Sequence, residues 1–172
     1  MADKKALIVI DMQNDFLWDK RKAMFDYDTQ KLTAAVNERI RSFQQQGADV
    51  IYIAHILPNI VTNRLFIGFS IRGTDGAELY KGVDIVSDLY FEKNLSNTYT
   101  AKKFREHMQK QAYSEIYICG LDLCGCVGAT ALGAAKTCKK VTLLQEAVGC
   151  RFDARKREKM NGRLKSAGVV LA

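Results

Sequence analysis

Three side chains with reactive chemistry follow apolar or glycine-rich segments of the chain. Asp11 comes directly after the apolar run 6–10, Cys126 comes shortly after the run 116–119, and Lys93 follows a glycine-rich stretch. A carboxylate at the end of a buried strand is partly desolvated, which suits a proton acceptor. A thiol at a helix start has its thiolate stabilised by free amides, and those amides can also hold an oxyanion. Together, an acid, a base and a thiol predict an activated-cysteine hydrolase.

Each of these residues also has a purely structural interpretation. Asp11 can cap a turn, Cys126 can be a core thiol, and Lys93 can be a solvated side chain. No histidine occupies a comparable position, which disfavours a cysteine–histidine pair. The hydrolase prediction therefore depends on the fold bringing the three side chains together.

The elements that must position these side chains are short apolar runs alternating with helical patterns. Continuous apolar runs are typical of strands buried on both faces, and they occupy 6–10, 50–54, 116–119, 141–144 and 168–172. Amphipathic or alanine-rich helical patterns occupy 29–46, a segment after a Thr100 cap, 126–136 and a last segment after an Asp153 cap. This alternation predicts an α/β protein with three αβα layers. We expect a Rossmann-like, mainly parallel sheet of five to six strands in a single domain, 1–172. Ligands bind such sheets at the carboxyl ends of the strands.

Composition excludes several classes of protein. The chain has 172 residues, 48% of them hydrophobic and 26% charged, as in ordinary globular proteins. No apolar run approaches the length of a membrane span, and no signal peptide is evident, so we expect a cytoplasmic protein with reduced cysteines and no membrane partner. The net charge of +7 is concentrated near the C-terminus, where we interpret it as a solvated helix face and expect no nucleic-acid partner.

Four motifs, in order along nearly the whole chain, resemble those of a known family. They are the strand followed by Asp11-Met-Gln13-Asn-Asp15-Phe16, then Gly73-Thr-Asp-Gly76-Ala-Glu78, then Lys93 with Ser96 and Tyr99, and then Gly120-Leu followed by Cys126-Val and Thr130-Ala-Leu. The sequence resembles the isochorismatase-like cysteine hydrolases, which include nicotinamidases and other small amidases. The resemblance implies an Asp11–Lys93–Cys126 catalytic triad.

The resemblance implies further features around the nucleophile. It places a non-proline cis peptide at Leu121–Asp122 and an oxyanion hole at the amides of Asp122 and Cys126. We expect Phe16, His55 and Tyr99 to line the substrate pocket. The implied reaction is cleavage of the C–N bond of a small-molecule amide through a thioester.

The sequence departs from the nicotinamidase pattern at the metal site. That site needs an aspartate and several histidines after the second strand, and this chain offers only His55 there. We therefore expect no metal and no cofactor. Relatives of this kind associate, so we also expect a homo-oligomer. The apolar residues that could supply its contacts are Ile60, Leu65, Phe66, Ile67 and Phe69.

Other functions remain open at this point. An isochorismatase-type vinyl-ether hydrolase needs an acid rather than a nucleophile, and Arg64 and Arg72 could bind its dianionic substrate. A non-catalytic nucleotide- or partner-binding domain would want a glycine-rich loop after the first strand, where this chain has acidic residues instead. A redox role for Cys124 and Cys126 is a further alternative.

Overall fold

Six parallel strands form one sheet in the part of the chain that the structure describes. The structure is a computed structural model, and it describes residues 4–138 and 140–172. The sheet order is β3-β2-β1-β4-β5-β6, and each neighbouring pair is parallel. The strands are β1 (Lys5–Ile10), β2 (Asp49–His55), β3 (Tyr90–Lys93), β4 (Glu115–Gly120), β5 (Lys140–Val148) and β6 (Val170–Leu171).

Helices cover both faces of this sheet. Side chains of β1 alternate between two buried clusters, with Ile8 and Ile10 on one face and Leu7 and Val9 on the other. The first cluster is completed by α3, α4 and α5, and the second by α1 and α2. The predicted three-layer αβα architecture is thus confirmed. The helices are α1 (Asn14–Leu17), α2 (Thr29–Gln45), α3 (Lys102–Gln111), α4 (Gly128–Ala134) and α5 (Ala154–Ser166).

The helix boundaries differ from the predicted ones at two places. The side chain of Asp153 caps α5 as predicted, accepting a hydrogen bond from the Lys156 amide. Thr100 does not cap α3, because it lies in a 3₁₀ turn and Ala101 is the residue at the cap position. The predicted helix 126–136 begins later, at Gly128, and follows a π-helical turn, Leu123–Val127.

Strand β3 was not among the predicted apolar runs. It has only four residues, and Tyr90 and Glu92 are exposed while Lys93 is buried. Its position at the sheet edge explains this pattern, because an edge strand need not be apolar on both faces.

Among the described residues, no helix is both long and apolar enough to cross a membrane.

Candidate active site

The carboxyl ends of three adjacent strands and the turn after a fourth converge on one ammonium group. Lys93 Nζ lies 2.9 Å from Asp11 Oδ2, 3.1 Å from Cys126 Sγ and 3.3 Å from His55 Nδ1. Asp11 follows β1, His55 ends β2 and Lys93 ends β3. The structure therefore brings together the three residues that the sequence predicts to be reactive. The cluster lies at the edge of the sheet where ligands bind in open α/β folds.

Asp11 is held in an uncommon backbone conformation at the end of β1. Its φ is 53°, in the left-handed region that non-glycine residues rarely adopt, and its amide donates to the carbonyl of Ile53 at 2.9 Å. The side chain is buried, and Oδ1 has no hydrogen-bond partner among the described residues. Since Oδ2 is occupied by Lys93, Oδ1 is the oxygen that can receive a proton from a neighbouring group.

Lys93 is fully buried yet keeps its charge. Burial alone would lower its pKa, but the Asp11 charge and then the interaction with Cys126 outweigh burial and raise the pKa of Lys93 above its usual value. His55 is opposite Lys93 in the β2–β3 register, which places the two side chains next to each other. Burial and then the Lys93 charge lower the pKa of His55, so its imidazole is neutral near pH 7 and Nδ1 can accept from Lys93.

The Cys126 thiol differs from the sequence expectation of a stabilised thiolate. Burial and then the Asp11 charge raise the pKa of Cys126 to about 12, although Lys93 opposes this rise. The residue lies in the π-helical turn Leu123–Val127, just before α4 begins at Gly128. At neutral pH the site therefore holds a thiol, beside a carboxylate that can take its proton.

Asp122 and its neighbours build the turn that carries Cys126. The peptide bond between Leu121 and Asp122 is cis, at the position implied by the family resemblance. Preceding it, Gly120 has φ +107°, and a Cβ there would lie 2.1 Å from the carbonyl oxygen of Ile10. Only glycine allows the ends of β1 and β4 to approach this closely. The oxyanion-hole role of the Asp122 and Cys126 amides stays a prediction.

The Asp122 carboxylate also joins three segments around that turn. Its Oδ1 accepts from the amide of Cys124 at 2.9 Å. Its Oδ2 accepts from the Tyr27 hydroxyl at 2.9 Å and from the amide of Arg151 at 2.8 Å. The side chain thus has a structural function that sequence reasoning did not assign.

Gln13 is a second residue whose contribution was missed. Its amide nitrogen donates to the carbonyls of His55 at 3.0 Å and Ala77 at 2.7 Å, and its Oε1 accepts from the His55 amide at 2.8 Å. The fully buried side chain therefore joins the ends of β1 and β2 to the long loop that follows β2. The signal for this role was the Asp11-Met-Gln13 motif itself, which places an amide two residues after the acid.

The predicted pocket residues are found in different surroundings. His55 lies in the cluster, whereas Phe16 packs against Phe25 with ring centroids 4.8 Å apart. Tyr99 is buried against Phe104, with ring centroids 5.1 Å apart. Both aromatic residues contribute to the hydrophobic core, and their contact with a substrate stays a prediction.

A metal ion does not fit among the side chains of this cluster. Ligand atoms of Asp11, His55 and Cys126 all lie within 4.8 Å of one another, which is close enough to share an ion. The Lys93 ammonium, however, contacts all three groups, so a metal cation would meet its positive charge and compete for the same lone pairs. Lys93 thus takes the place that a metal would need.

Comparison with solved structures places the fold among small amidases. The pyrazinamidase of Pyrococcus horikoshii, solved in complex with zinc, is 28% identical, with a TM-score of 0.86 and 98% of each chain covered. The N-carbamoylsarcosine amidase of Thermoplasma acidophilum is 22% identical, with a TM-score of 0.79, 98% of this chain covered and 95% of the other. At that lower identity, the second likeness shows the fold alone.

Comparison of sequences identifies the family. The isochorismatase family protein YddQ of Bacillus subtilis is 24% identical over 132 residues, which are 76% of this chain and 69% of YddQ. The family model for the Isochorismatase domain matches residues 5–172 and so includes all the residues of the cluster around Lys93. This chain belongs to the isochorismatase family.

Proposed function

We propose that this protein is a cysteine hydrolase that cleaves the C–N bond of a small-molecule amide through a thioester, without a metal. The observation that carries the proposal is the buried Lys93 ammonium, which bridges the Asp11 carboxylate and the Cys126 thiol. Family membership and the likeness to the pyrazinamidase of Pyrococcus horikoshii support an amidase-type hydrolase.

The first half of the proposed reaction acylates the thiol. Asp11 takes the proton of Cys126 as the sulfur attacks the amide carbonyl, so the charge leaving Asp11 appears on the substrate oxygen. The amides of Asp122 and Cys126 hold that oxyanion. Asp11 then returns its proton to the leaving nitrogen, the C–N bond breaks, and ammonia or an amine departs from the thioester.

The second half regenerates the enzyme. Water gives a proton to Asp11 as its oxygen attacks the thioester carbonyl. The C–S bond then breaks, the carboxylic acid product leaves, and Asp11 returns the proton to the sulfur, which restores the Cys126 thiol and the Asp11 carboxylate. Lys93 is positively charged in the resting enzyme, because Asp11 and then Cys126 raise its pKa despite burial. Its charge stabilises the carboxylate and each developing thiolate in turn. His55 is neutral and accepts a hydrogen bond from Lys93, which helps to keep the ammonium between Asp11 and Cys126.

The arginines do not favour the vinyl-ether alternative. A dianionic substrate wants both guanidinium groups in one cavity. Arg64 lines a cavity beside Trp18 and Phe69, whereas Arg72 lines a different groove and pairs with Glu92 at 2.5 Å. A non-catalytic phosphate-binding domain is also disfavoured, since the buried carboxylate of Asp11 after β1 would repel a phosphate.

The test is ammonia or amine release from a panel of small amides, including nicotinamide, pyrazinamide and N-carbamoylsarcosine. Isochorismate is included as a vinyl ether. We expect turnover of at least one amide, none of isochorismate, and loss of activity in Cys126→Ala. Activity only on isochorismate, or amide turnover that survives Cys126→Ala, would overturn the proposal.

We also propose a reducing, cytoplasmic setting, since all five cysteines are free thiols.

A further inference from the structure

A second pair of thiols lies beside the turn that carries Cys126. Cys124 Sγ and Cys150 Sγ are 3.7 Å apart, although the residues are separated by 26 positions. Cys124 lies in the π-helical turn Leu123–Val127, and Cys150 follows the end of β5. Both residues are partly exposed. The sequence had suggested Cys124 and Cys126 as a redox pair, but the structure places Cys150 beside Cys124.

Backbone contacts hold the two thiol-bearing segments side by side. The amide of Leu123 donates to the carbonyl of Gly149 at 2.9 Å, and the amide of Gly149 donates to Gly120 at 3.0 Å. The Asp122 carboxylate accepts from the Cys124 amide and from the Arg151 amide, so it joins the neighbours of both thiols. These bonds hold the two backbone segments close together, so the two sulfurs are neighbours in the folded protein.

A metal ion explains this cluster less well than a thiol pair does. Asp122, Cys124 and Cys150 offer ligand atoms within 4.8 Å of one another. Both oxygens of Asp122, however, already accept hydrogen bonds from the backbone or from Tyr27. These three donors occupy all but one of the roughly four lone-pair directions of the carboxylate, so an ion could use only the direction left on Oδ1.

The thiol pair is next to a small cavity that can admit an oxidant. The cavity has a volume of about 170 Å³ and is lined by Cys150, Arg157, Asn161 and four aliphatic or polar neighbours. Burial and then Cys150 raise the pKa of Cys124 to about 12, and the Arg157 charge opposes this rise without cancelling it. This volume exceeds that of hydrogen peroxide several times over, since a water molecule occupies about 30 Å³ in the liquid.

We propose that Cys124 and Cys150 are an oxidation site that closes into a reversible disulfide and thereby lowers the reactivity of Cys126. One thiolate attacks the hydroperoxide, here hydrogen peroxide, the O–O bond breaks, and a sulfenic acid and hydroxide form. The second sulfur then attacks the sulfenic sulfur, forming the S–S bond and releasing water. Overall, two thiols are oxidised and one hydroperoxide is reduced.

We expect closure of the disulfide to shift the turn that carries Cys126. The sulfurs need to approach by about 1.6 Å, from 3.7 Å to the length of an S–S bond. Cys150 is anchored to the end of β5, whereas Cys124 is two residues before Cys126 in an irregular turn. We expect part of this displacement to fall on the turn, and a misplaced nucleophile loses rate steeply. The effect on turnover rests on the proposed function, whereas the disulfide and the alkylation rate of Cys126 do not.

The disulfide is tested by hydrogen peroxide treatment and peptide mapping. Trypsin leaves Cys124 in the peptide 111–136 and Cys150 in 141–151, so the link joins two peptides and adds a distinct mass. Because 111–136 also holds Cys119, fragmentation of the linked peptides identifies which cysteine takes part. The mapping uses the Cys126→Ala protein, in which Cys126 cannot take part. We expect a link between Cys124 and Cys150 that dithiothreitol reverses. Absence of this link, or a link through Cys119 or Cys138 instead, would overturn the proposal.

The effect on the nucleophile is tested by iodoacetamide labelling of Cys126 in the wild-type protein. We expect the labelling rate, and turnover where an amide substrate is known, to fall at least about fivefold on mild oxidation. Dithiothreitol should restore both. Cys150→Ser is the matched control, since it keeps the turn but cannot close the disulfide. An unchanged labelling rate after the link has formed, or the same reversible loss in Cys150→Ser, would overturn the regulatory step.

Discussion

Lys93 and Asp11 form a buried ion pair between the ends of two strands that are not neighbours in the sheet. Their charged atoms are 2.9 Å apart, and β2 lies between β1 and β3. The lysine side chain spans the end of β2, where it also meets His55. A pair with so little solvent contact is strongly coupled, so removal of either partner has consequences for the other and for the thiol.

Removal of the Asp11 charge should separate thiol reactivity from turnover. Because the Asp11 charge raises the pKa of Cys126, we expect Asp11→Asn to lower that pKa and to speed iodoacetamide labelling at pH 8. Turnover should fall by about 100-fold or more, because the proton acceptor is gone. The measurements are labelling and turnover against pH, with the exposed Asp19→Asn as control. Slower labelling in Asp11→Asn would contradict the electrostatic assignment.

Removal of the Lys93 charge should act on labelling in the opposite direction. Lys93 lowers the pKa of Cys126, so Lys93→Ala should raise it further, slow labelling and reduce turnover by about 100-fold or more. Lys93→Arg should rescue poorly, since a planar guanidinium does not replace a compact ammonium. The exposed Lys102→Ala is the control.

Stability must be followed in the same lysine variants. Lys93→Ala leaves Asp11 buried without its partner, which should reduce the free energy of unfolding by about 3 kcal/mol. Rates are therefore compared well below the melting temperature of the variant. Normal turnover and an unmoved labelling profile in a folded Lys93→Ala protein would remove Lys93 from the mechanism.

Chelation should leave turnover unchanged. The Lys93 ammonium occupies the space between Asp11, His55 and Cys126, so no step of the proposed reaction uses a metal. The measurement is amide turnover before and after prolonged EDTA dialysis, together with metal analysis of the purified protein. If EDTA abolished activity and one added metal restored it, the side chains around Lys93 would have to rearrange to bind an ion. That result would contradict a reaction without a metal.

Gln13 should contribute strongly to stability. Gln13→Ala would remove the partner of three backbone groups, a buried carbonyl of Ala77 and the partly buried carbonyl and amide of His55. We expect a loss of about 3 kcal/mol in the free energy of unfolding, measured by denaturant titration. The exposed helix position Gln109→Ala is the control and should change stability by less than about 0.5 kcal/mol. Equal effects of the two substitutions would contradict the bracing role of Gln13.

Association should depend on the loop that follows β2. Leu65 and Phe66 are 74% and 83% exposed, and such large apolar side chains favour a buried interface. Phe69, by contrast, packs against Phe16 and Phe25 and belongs to the local core. We propose a homo-oligomer, and Phe66→Ser should shift light scattering toward the 19.3 kDa monomer. The exposed Ile85→Ser is the control. A wild-type monomer at micromolar concentration would contradict this proposal.

The positions of Asp11 and Cys126 could be predicted because the strands before them are continuous apolar runs. Such runs identify central parallel strands from composition alone, and the carboxyl ends of those strands locate the site. The position of Lys93 could not be predicted from an apolar run, because β3 is a short edge strand with alternating exposure. Its place in the site came from the motif around it and not from periodicity.

The raised pKa of Cys126 and the thiol pair could not be predicted from local pattern. The raised pKa of Cys126 depends on burial by segments distant in sequence, and that burial outweighs the effect of the Lys93 charge. The thiol pair depends on where the chain after β5 returns to the turn after β4, as the Leu123–Gly149 hydrogen bond shows. Both features depend on tertiary packing between segments that are distant in the sequence, and local sequence patterns do not determine such packing.

The location of Lys93 on an edge strand has a consequence for how the protein inactivates. Among the described residues, β3 pairs only with β2, while Asp11 extends from a strand with neighbours on both sides. Edge elements open through local fluctuations that require less free energy than global unfolding. Opening of β3 alone would withdraw the ammonium and leave the carboxylate and thiol in place. Amide hydrogen exchange should therefore be faster in β3 than in β1, and heating should abolish catalysis before the central sheet melts.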